Sequence, residues 1–309
     1  MAATERVFCA VQGRAAGDPI AGTGKHAHRN LLISWPIGKW TRSLRRASDM
    51  SEAVLDRVEA VFATGRRVNL IHRRQQSAER HRIYLMPENL AVDVDRERLP
   101  DFLDALLGDA PLEPWGAVTA PSPLILCCTH SKKDKCCAKF GSAAYRLLAD
   151  AAAASGHAFE VWQSSHLGGC RLAATAMVFP STRKYGRIGE ADILPLFEAE
   201  RCDRPYPPCY RGNSALTPLE QCAEVAALNW LARRDIHARV ETACADPETE
   251  GEGAATVRVR WRSARAQGQV AVTCVTGTVS RFDTCADIGP DGPTASAVWL
   301  ARHIEPVAG

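Results

Sequence analysis

Two stretches of the sequence carry the same order of predicted elements, and this repetition limits the fold more than any other feature. In the first stretch, an apolar strand at 30–36 precedes an amphipathic helix at 50–64, for which Ser51 is a suitable N-cap. The stretch continues with two strands rich in β-forming residues and a second helix, at 68–72, 82–87 and 98–108.

The second stretch starts with the apolar strand PLILCC at 123–128 and a helix at 141–155. Two strands and a helix follow, at 159–163, 176–180 and 191–200. Each stretch thus has the order β-α-β-β-α, which is the order of a thioredoxin-like unit. The sequence predicts an α/β fold with thioredoxin-like organisation, in which two such units stand side by side.

The remaining third of the chain has a different character. Residues 201–216 are rich in proline and are expected to be irregular, and a capping box formed by Thr217 and Glu220 starts a helix that runs to about Arg233. Alternating apolar residues at 257–262 and 269–275 predict an antiparallel β-hairpin. The acidic segment at 246–253 is expected to be an exposed loop.

These patterns predict three domains: an N-terminal α/β domain at 1–115, a thioredoxin-like domain at 116–200, and a C-terminal extension at 201–309 with the proline-rich loop, helix and hairpin.

Composition excludes several classes of function. A net charge of +3 on 309 residues is too small to indicate a nucleic-acid partner. No apolar run reaches the length of about 18 residues that a membrane span needs, and the N-terminus has no signal-peptide pattern. We therefore expect a cytoplasmic protein without a membrane partner. Because thiols stay reduced in the cytosol, the 12 cysteines point to metal or redox chemistry rather than to disulfides.

Four of the cysteines form two adjacent pairs around one predicted strand end. Neighbouring side chains of a strand point to opposite faces, so only one of Cys127 and Cys128 can serve a given centre, and Cys128 is favoured because it lies at the exit. Asp134 is expected to cap a helix beginning near Lys135. Cys137 would then lie beside free backbone N–H groups, which favour the thiolate.

A second group of candidate ligands follows about thirty residues later, where His166 and Cys170 are separated by Leu-Gly-Gly. Gly168 and Gly169 permit a sharp turn, and their amide groups could donate to sulfur. Two cysteines plus a histidine and a cysteine can bind zinc, although structural zinc sites use shorter cysteine spacings. A [2Fe–2S] cluster, with two ligands on each iron, fits this grouping better. His130 is expected to be a loop residue or a residue that supports the ligands, and its alternative role is that of a ligand.

Four segments carry a resemblance to a known family: CTHSKKDKCCAKFG at 128–141, VWQSSHLGGCRLAATAMVFP at 161–180, KYGRI at 184–188 and YRGNSALTPLEQCAE at 210–224. Together with the block around LLISWPIGKW, they make the chain resemble the sucrase/ferredoxin-like family of thioredoxin-fold [2Fe–2S] proteins over roughly residues 7–235.

The resemblance implies a ligand set for the cluster: Cys128 and Cys137 on one iron, and His166 and Cys170 on the other. Many family members have histidine at the position of Cys170, so this chain would supply three thiolates and one imidazole. Because imidazole is neutral, the expected reduction potential lies between those of four-cysteine and two-histidine centres.

The favoured function is one-electron transfer. The alternatives are a cluster-dependent reductase of a small substrate, such as a ferric chelate or an N-hydroxylated compound, and a zinc-stapled binding protein. No G-x-G-x-x-G fingerprint follows a strand, so a separate NAD(P)H-dependent reductase or another donor is expected as partner, with the acceptor unspecified. No carboxylate pair argues for glycoside hydrolysis.

The sequence gives only weak indications of a role for the remaining basic and cysteine residues. One set of basic residues could ring the cluster as a docking surface or could be ordinary solvated charge: Lys132, Lys133, Lys135, Lys139, Arg171, Arg183, Lys184 and Arg187. Cys202 and Cys209 have no further ligands at a suitable spacing, and Cys222 is expected in the core. No partner is predicted for Cys9, Cys244, Cys274 or Cys285.

Overall fold

A computed structural model describes residues 7–156, 159–242, 248–249 and 253–307. The helices of this part are α1 Cys9–Ala15, α2 Glu52–Ala63, α3 Leu99–Leu107, α4 Ser142–Ala154, α5 Ile193–Arg201 and α6 Pro218–Ala232. The strands are β1 Asn30–Ser34, β2 Arg67–His72, β3 Arg80–Met86, β4 Leu90–Asp95, β5 Val118–Thr119, β6 Leu124–Cys128, β7 Glu160–Ser164, β8 Ala176–Phe179, β9 Arg183–Tyr185, β10 Tyr210–Asn213, β11 Arg239–Thr242, β12 Glu248–Thr249, β13 Ala254–Arg262, β14 Gln267–Arg281 and β15 Thr294–Val307.

The chain forms two compact units. The central unit comprises His26–Gly168 and Ala176–Ser181, and the terminal unit comprises Met1–Lys25, Gly169–Thr175 and Thr182–Gly309. These boundaries differ from those of the three predicted domains. The reason is that β2 pairs with β7, so strands from the first two predicted domains share one sheet.

The sheet of the central unit shows the same topology twice, with the strand order β8-β6-β7-β2-β1-β3-β4-β5. In the first half, β1 is parallel to β2 and antiparallel to β3. In the second half, β6 is parallel to β7 and antiparallel to β8. This repeated βαββ pairing confirms the mixed α/β, thioredoxin-like fold predicted from the order of elements.

One strand of the first half was missing from the sequence prediction. Strand β4 pairs antiparallel with β3 through a tight turn, in which Asn89 adopts a positive φ of 54°. The sequence analysis predicts a strand at 82–87 and assigns no element to residues 88–97, where β4 lies.

The helices of the first half form as the sequence predicts and cover the sheet. The Ser51 hydroxyl accepts a hydrogen bond from the backbone N–H of Val54 and so caps α2. Helix α2 buries Val54, Val58 and Val61, and α3 buries Leu99, Phe102 and Leu103 in the same hydrophobic core. This apolar core fixes the strand ends of the first half.

The second half has a more completely buried central strand. All five residues of β6 are buried, which is the pattern of a strand covered on both faces. Helix α4 contributes Ala144, Leu148, Ala151 and Ala152 to the interior. The predicted strand at 123–128 and helix at 141–155 are therefore confirmed.

The terminal unit contains the predicted helix and hairpin within a larger sheet. Thr217 and Glu220 form the predicted capping box of α6, and β13 and β14 form the predicted hairpin. Strand β15 also pairs along β14, and β11 and β12 pair with β13, so the sheet has five strands. The side chains of Val257, Val259, Val270 and Val272 form a core with α6.

Two other expectations for this region need correction. Residues 201–216 are not wholly irregular, because β10 pairs antiparallel with β9 and places Tyr210 opposite Tyr185. Within the predicted loop at 246–253, Glu248 and Thr249 pair with β13, while 246–247 and 250–252 lie outside the described residues.

Among the described residues, no helix combines the length and the apolar character needed to cross a membrane.

Candidate metal centre

The centre is built on the end of β6, where the backbone of the next helix comes unusually close. A Cβ atom on Gly141 would lie 1.9 Å from the carbonyl oxygen of Cys128, so only glycine fits at this position. The glycine therefore allows the helical segment to lie directly against the strand that ends at Cys128.

The segment that carries Cys137 is a π-helical turn, Cys137–Gly141, which continues directly into α4. The Asp134 carboxylate accepts a hydrogen bond of 2.7 Å from the backbone N–H of Cys136, and the chain is helical from Lys135. This confirms the predicted helix start and the role of Asp134 as its cap. Single π-helical turns are frequent at functional sites, where they redirect a side chain.

Three predicted ligands lie together in the central unit. The Sγ atoms of Cys128 and Cys137 are 3.3 Å apart, and a ring nitrogen of His166 lies within 4.8 Å of both. Each cysteine is only 1% exposed, whereas His166 is half-buried. The two thiols are thus shielded from water while the histidine reaches the surface.

Electrostatics at this site favour a thiolate. The pKa of Cys128 lies well below its usual range, mainly because the Cys137 side chain forms a hydrogen bond with it. Burial opposes this shift, while the side chain of His166 and the backbone N–H of Leu167 reinforce it. A thiolate is the form of cysteine that binds metals, so the site is prepared for a cation.

The backbone of His166 is held by the strand β2 from the first half. Arg67 donates to the His166 carbonyl at 2.6 Å, and Asn69 donates to the same oxygen at 3.3 Å. Burial lowers the pKa of Arg67, and the nearby Cys128 opposes that shift. The guanidinium therefore both positions the histidine loop and places a positive charge near the Cys128 sulfur.

His130 supports this loop rather than facing the thiols. Its Nδ1 accepts a hydrogen bond of 3.2 Å from the backbone N–H of His166, and its Nε2 lies 2.7 Å from the carbonyl oxygen of Thr41. This pattern assigns the proton to Nε2. Both ring nitrogens are engaged by backbone groups, so the position favours a supporting role over the alternative one as ligand.

The two glycines after His166 make the predicted turn, with φ values of 87° at Gly168 and 82° at Gly169. Cys170 follows in a short helical turn, Cys170–Leu172, and is buried within the terminal unit. The predicted four-residue ligand set is thus divided between the two units, with three members in the central one. Cys170 stays the predicted fourth ligand.

The neighbouring cysteines, Cys127 and Cys136, are both fully buried. Cys127 is fully buried and donates a hydrogen bond to the carbonyl oxygen of Gly141, and burial raises the pKa of its thiol. Cys136 is fully buried one residue before Cys137. The preference for Cys128 over Cys127 thus agrees with the electrostatics of the two thiols.

Other cysteines also form pairs, which the sequence did not reveal. In the terminal unit, the Sγ atoms of Cys9 and Cys285 are 3.6 Å apart. Cys222 lies in the core as predicted, and its pKa is lowered by a hydrogen bond with Cys274. Both contacts join residues from distant segments, which sequence spacing cannot show.

The other predicted cysteines have separate environments. Cys202 is exposed and Cys209 is buried, and burial raises the pKa of Cys209. Cys244 lies outside the described residues.

The suggested ring of basic residues is only partly exposed. Lys132, Lys135 and Lys139 are exposed on the segment before and within the π-helical turn, and Lys133 is half-buried. The other members are engaged within the terminal unit: Arg171 and Arg187 bond to Asp18, Arg183 pairs with Glu200 and Asp203, and Lys184 is buried against Lys25. A docking surface would therefore have to rest on the lysines.

Residues that position the centre from the first half were missed by the sequence analysis. Arg67, Asn69 and Thr41 belong to a half without cysteine, and Arg67 is 99 positions from the residue whose carbonyl it binds. No local pattern connects them with the motif.

The class defined by fold and site is a mixed α/β protein with a group of two buried cysteines and one half-buried histidine. The sucrase/ferredoxin-like family profile matches residues 20–212, which is more than half of the chain. The chain therefore belongs to the sucrase/ferredoxin-like family, and the resemblance found in the sequence is confirmed.

The comparisons with curated proteins and with solved structures give less information than the family profile. No curated protein matches the chain. Two solved structures of a thioredoxin-like [2Fe-2S] ferredoxin from Aquifex aeolicus are similar to part of the chain, each with 11% identity and a TM-score of 0.26. Each match covers 29% of this chain, and 95% and 89% of the two ferredoxin chains, respectively.

Proposed function

We propose that this protein transfers single electrons through a [2Fe–2S] cluster bound by Cys128, Cys137, His166 and Cys170. The observation that supports the proposal most strongly is the buried pair of Cys128 and Cys137 sulfurs, 3.3 Å apart, with His166 beside them. Membership of a ferredoxin-like family makes an iron–sulfur centre the favoured occupant.

The residues present fit such a cluster in their chemistry. Thiolate and imidazole are the ligands of mixed cysteine–histidine iron–sulfur centres. The lowered pKa of Cys128 and the positive charge of Arg67 match the requirement for deprotonated sulfur. Burial of both thiols would also keep water away from the sulfurs, which stabilises a centre of low net charge.

The cluster, when bound, supplies a site that accepts and releases one electron at a time. The chain's own residues orient and shield that site. Arg67 and Asn69 donate hydrogen bonds to the carbonyl oxygen of His166, and the backbone N–H of His166 donates to His130. These bonds fix the backbone of His166 and so limit where its imidazole can lie. The half-buried His166 would be the ligand nearest to solvent and so the natural point of exchange with a partner.

A separate electron donor is part of this proposal. The exposed Lys132, Lys135 and Lys139 suit a reductase with an acidic docking face, and a reducing cytosol suits the many thiols. We expect the rate of reduction by such a partner to fall with rising salt, because contacts between exposed charges are screened.

The test is spectroscopy on anaerobically purified protein before and after dithionite, repeated on His166→Ala and Cys170→Ala. The proposal requires visible charge-transfer absorption, a half-integer-spin EPR signal on reduction, and about two irons per chain. Both variants should have altered spectra or lost iron. The matched controls are His237→Ala and Cys202→Ala, which change exposed residues of the same types.

Three results would contradict the proposal. A colourless protein with bound zinc would replace electron transfer by a zinc-stapled binding role. Unchanged spectra in Cys170→Ala would show that Cys170 is not a ligand and that another residue is the fourth one. A coloured protein with a saturable preference for one small acceptor would instead make it a reductase.

A further inference from the structure

The terminal unit contains a small cavity with an unusual lining. Its volume is about 380 Å³, within the range of sites for small molecules. The charged and larger polar or aromatic residues of its lining come from distant segments of the unit: Thr23, Arg171, Arg211, Thr276, Arg281 and Trp299. None of the described residues that line the cavity is acidic.

The three arginines of this cavity are mostly withdrawn from water. The side chains of Arg171 and Arg281 are 10% and 13% exposed, and Arg211 is 3% exposed as a residue. Bringing several cations into a small, poorly solvated space is costly unless anions balance them. The partners of each guanidinium therefore decide how much of its positive charge is already balanced before a ligand binds.

Two carboxylates behind the cavity hold two of the arginines. The fully buried Asp18 pairs with Arg171 at 2.6 Å and with Arg281 at 3.0 Å. Asp283 pairs with the same two residues at 3.1 Å and 3.3 Å. These contacts fix the guanidiniums of Arg171 and Arg281 in position before any ligand binds.

The third arginine is held against Thr23. Arg211 donates to the hydroxyl oxygen of Thr23 at 3.0 Å and to its carbonyl oxygen at 2.5 Å. The Nε atom of Arg281 makes no hydrogen bond within the described part of the chain, although it faces Asp283 in the ion pair. The five residues Arg171, Arg211, Arg281, Asp18 and Asp283 together carry a net positive charge.

We propose that this cavity binds a small organic anion with at least two negatively charged oxygens, such as a di- or tricarboxylate. Arginine forks recognise planar oxyanions through paired hydrogen bonds, and here they are held in place before any ligand arrives. The half-buried Trp299 and Val298 give the carbon skeleton of the ligand an apolar wall. This binding site goes beyond the proposed function, because it requires no cluster.

The experiment is isothermal titration calorimetry of the full chain with citrate and, separately, with inorganic phosphate. Arg281→Gln removes one fork from the cavity. Ala297→Glu places a negative charge on an exposed lining position without removing any existing contact. Ala266→Glu is the matched control, since Ala266 precedes the start of β14 while Arg281 is its last residue.

We expect saturable citrate binding by the wild type, weakened at least about tenfold in Arg281→Gln and in Ala297→Glu. Ala266→Glu should bind like the wild type. Phosphate that binds as tightly as citrate would overturn the assignment to an organic anion. Citrate heat that does not saturate, or equal affinity in Ala297→Glu and Ala266→Glu, would overturn the site itself.

An absorption spectrum of each titrated sample separates this proposal from the previous one. A colourless protein that binds citrate would contradict the cluster and support the cavity, and a coloured protein without binding would do the reverse.

Discussion

The two halves of the central unit share a topology but differ at the same structural position. Strands β1 and β6 each have five residues, and their last residues, Ser34 and Cys128, both pair in parallel with the next strand of their half. The first half, residues 26–115, contains no cysteine. The comparison shows that the shared fold supplies a strand end, and that the residue placed there decides whether it can hold a metal.

The strand end of the first half is closed by side chains from β3. The hydroxyl of Ser34 accepts a hydrogen bond from the backbone N–H of Arg82, and its carbonyl oxygen lies 2.6 Å from Nδ1 of His81. The ring of His81 stacks on Trp35 at 4.4 Å. The position that holds a thiol pair in the second half is therefore occupied by packing and hydrogen bonds in the first.

Cys128→Ala should give the largest effect, because it removes the thiolate that distinguishes the two strand ends. We expect loss of most of the bound iron and of the visible absorption, measured on purified protein. Cys127→Ala is the control, one residue earlier on the opposite face of β6. If Cys127→Ala loses iron and Cys128→Ala does not, the choice between the two cysteines is wrong.

Phe102→Ala tests whether the first half serves mainly as a scaffold. Phe102 is fully buried in the core between the helices and the sheet. Its truncation should lower the free energy of unfolding by about 3–5 kcal/mol, measured by urea denaturation. The iron content per folded molecule should stay unchanged. A folded variant depleted of iron would show that the two halves are not separable in this way.

His81→Leu tests the closed strand end through its pH dependence. Burial lowers the pKa of His81, with Arg96 adding to the effect, whereas the Ser34 carbonyl and Asp49 oppose it. The neutral form is favoured in the fold, so the stability from this group is complete above about pH 6.5 and is lost as pH falls through the lower folded pKa. A depression of one pKa unit corresponds to about 1.4 kcal/mol.

The measurement is the free energy of unfolding of wild type and His81→Leu between about pH 7 and pH 5. The free energy of unfolding of the wild type should decrease relative to that of His81→Leu as pH falls. A difference that does not change with pH would mean that the fold leaves the pKa of His81 unshifted, and an advantage that grows as pH falls would mean that the fold raises it.

Ser51→Ala addresses the smallest difference, which is the start of the first helix in each half. The Ser51 hydroxyl caps α2 directly, whereas the Asp134 carboxylate caps the helical segment that continues through the π-helical turn into α4. Loss of the cap should cost about 1 kcal/mol of stability in thermal or urea unfolding. The spectrum of the bound centre should not change, because α2 belongs to the half without thiols.

Local signals in the sequence were sufficient for part of the fold. Ser51 before α2, the capping box before α6 and the apolar run of β6 each act within a few residues, so they could be recognised without knowledge of the tertiary structure. Strands β9 and β15 could not be found in this way. Strand β9 has three residues, and β15 mixes polar and apolar residues because it is half-exposed along its length.

The candidate site likewise contains residues that the sequence identifies and residues that it does not. Cys128, Cys137 and His166 belong to a compact motif, so the sequence identified them and the structure brings them together. Arg67 and Asn69 lie on β2 of the other half, and they reach the site only because β2 pairs with β7. Such supporting residues depend on the arrangement of strands, which a single sequence does not encode in any short pattern.

The ion pair between Asp18 and Arg281 joins residues 263 positions apart. During synthesis on a ribosome, Asp18 would emerge long before its partner exists, while the central unit, which ends at Ser181, could already fold as it emerges. The early segment of the terminal unit must therefore wait for β14, and this long-range closure is expected to be the slow step in the assembly of the nascent chain.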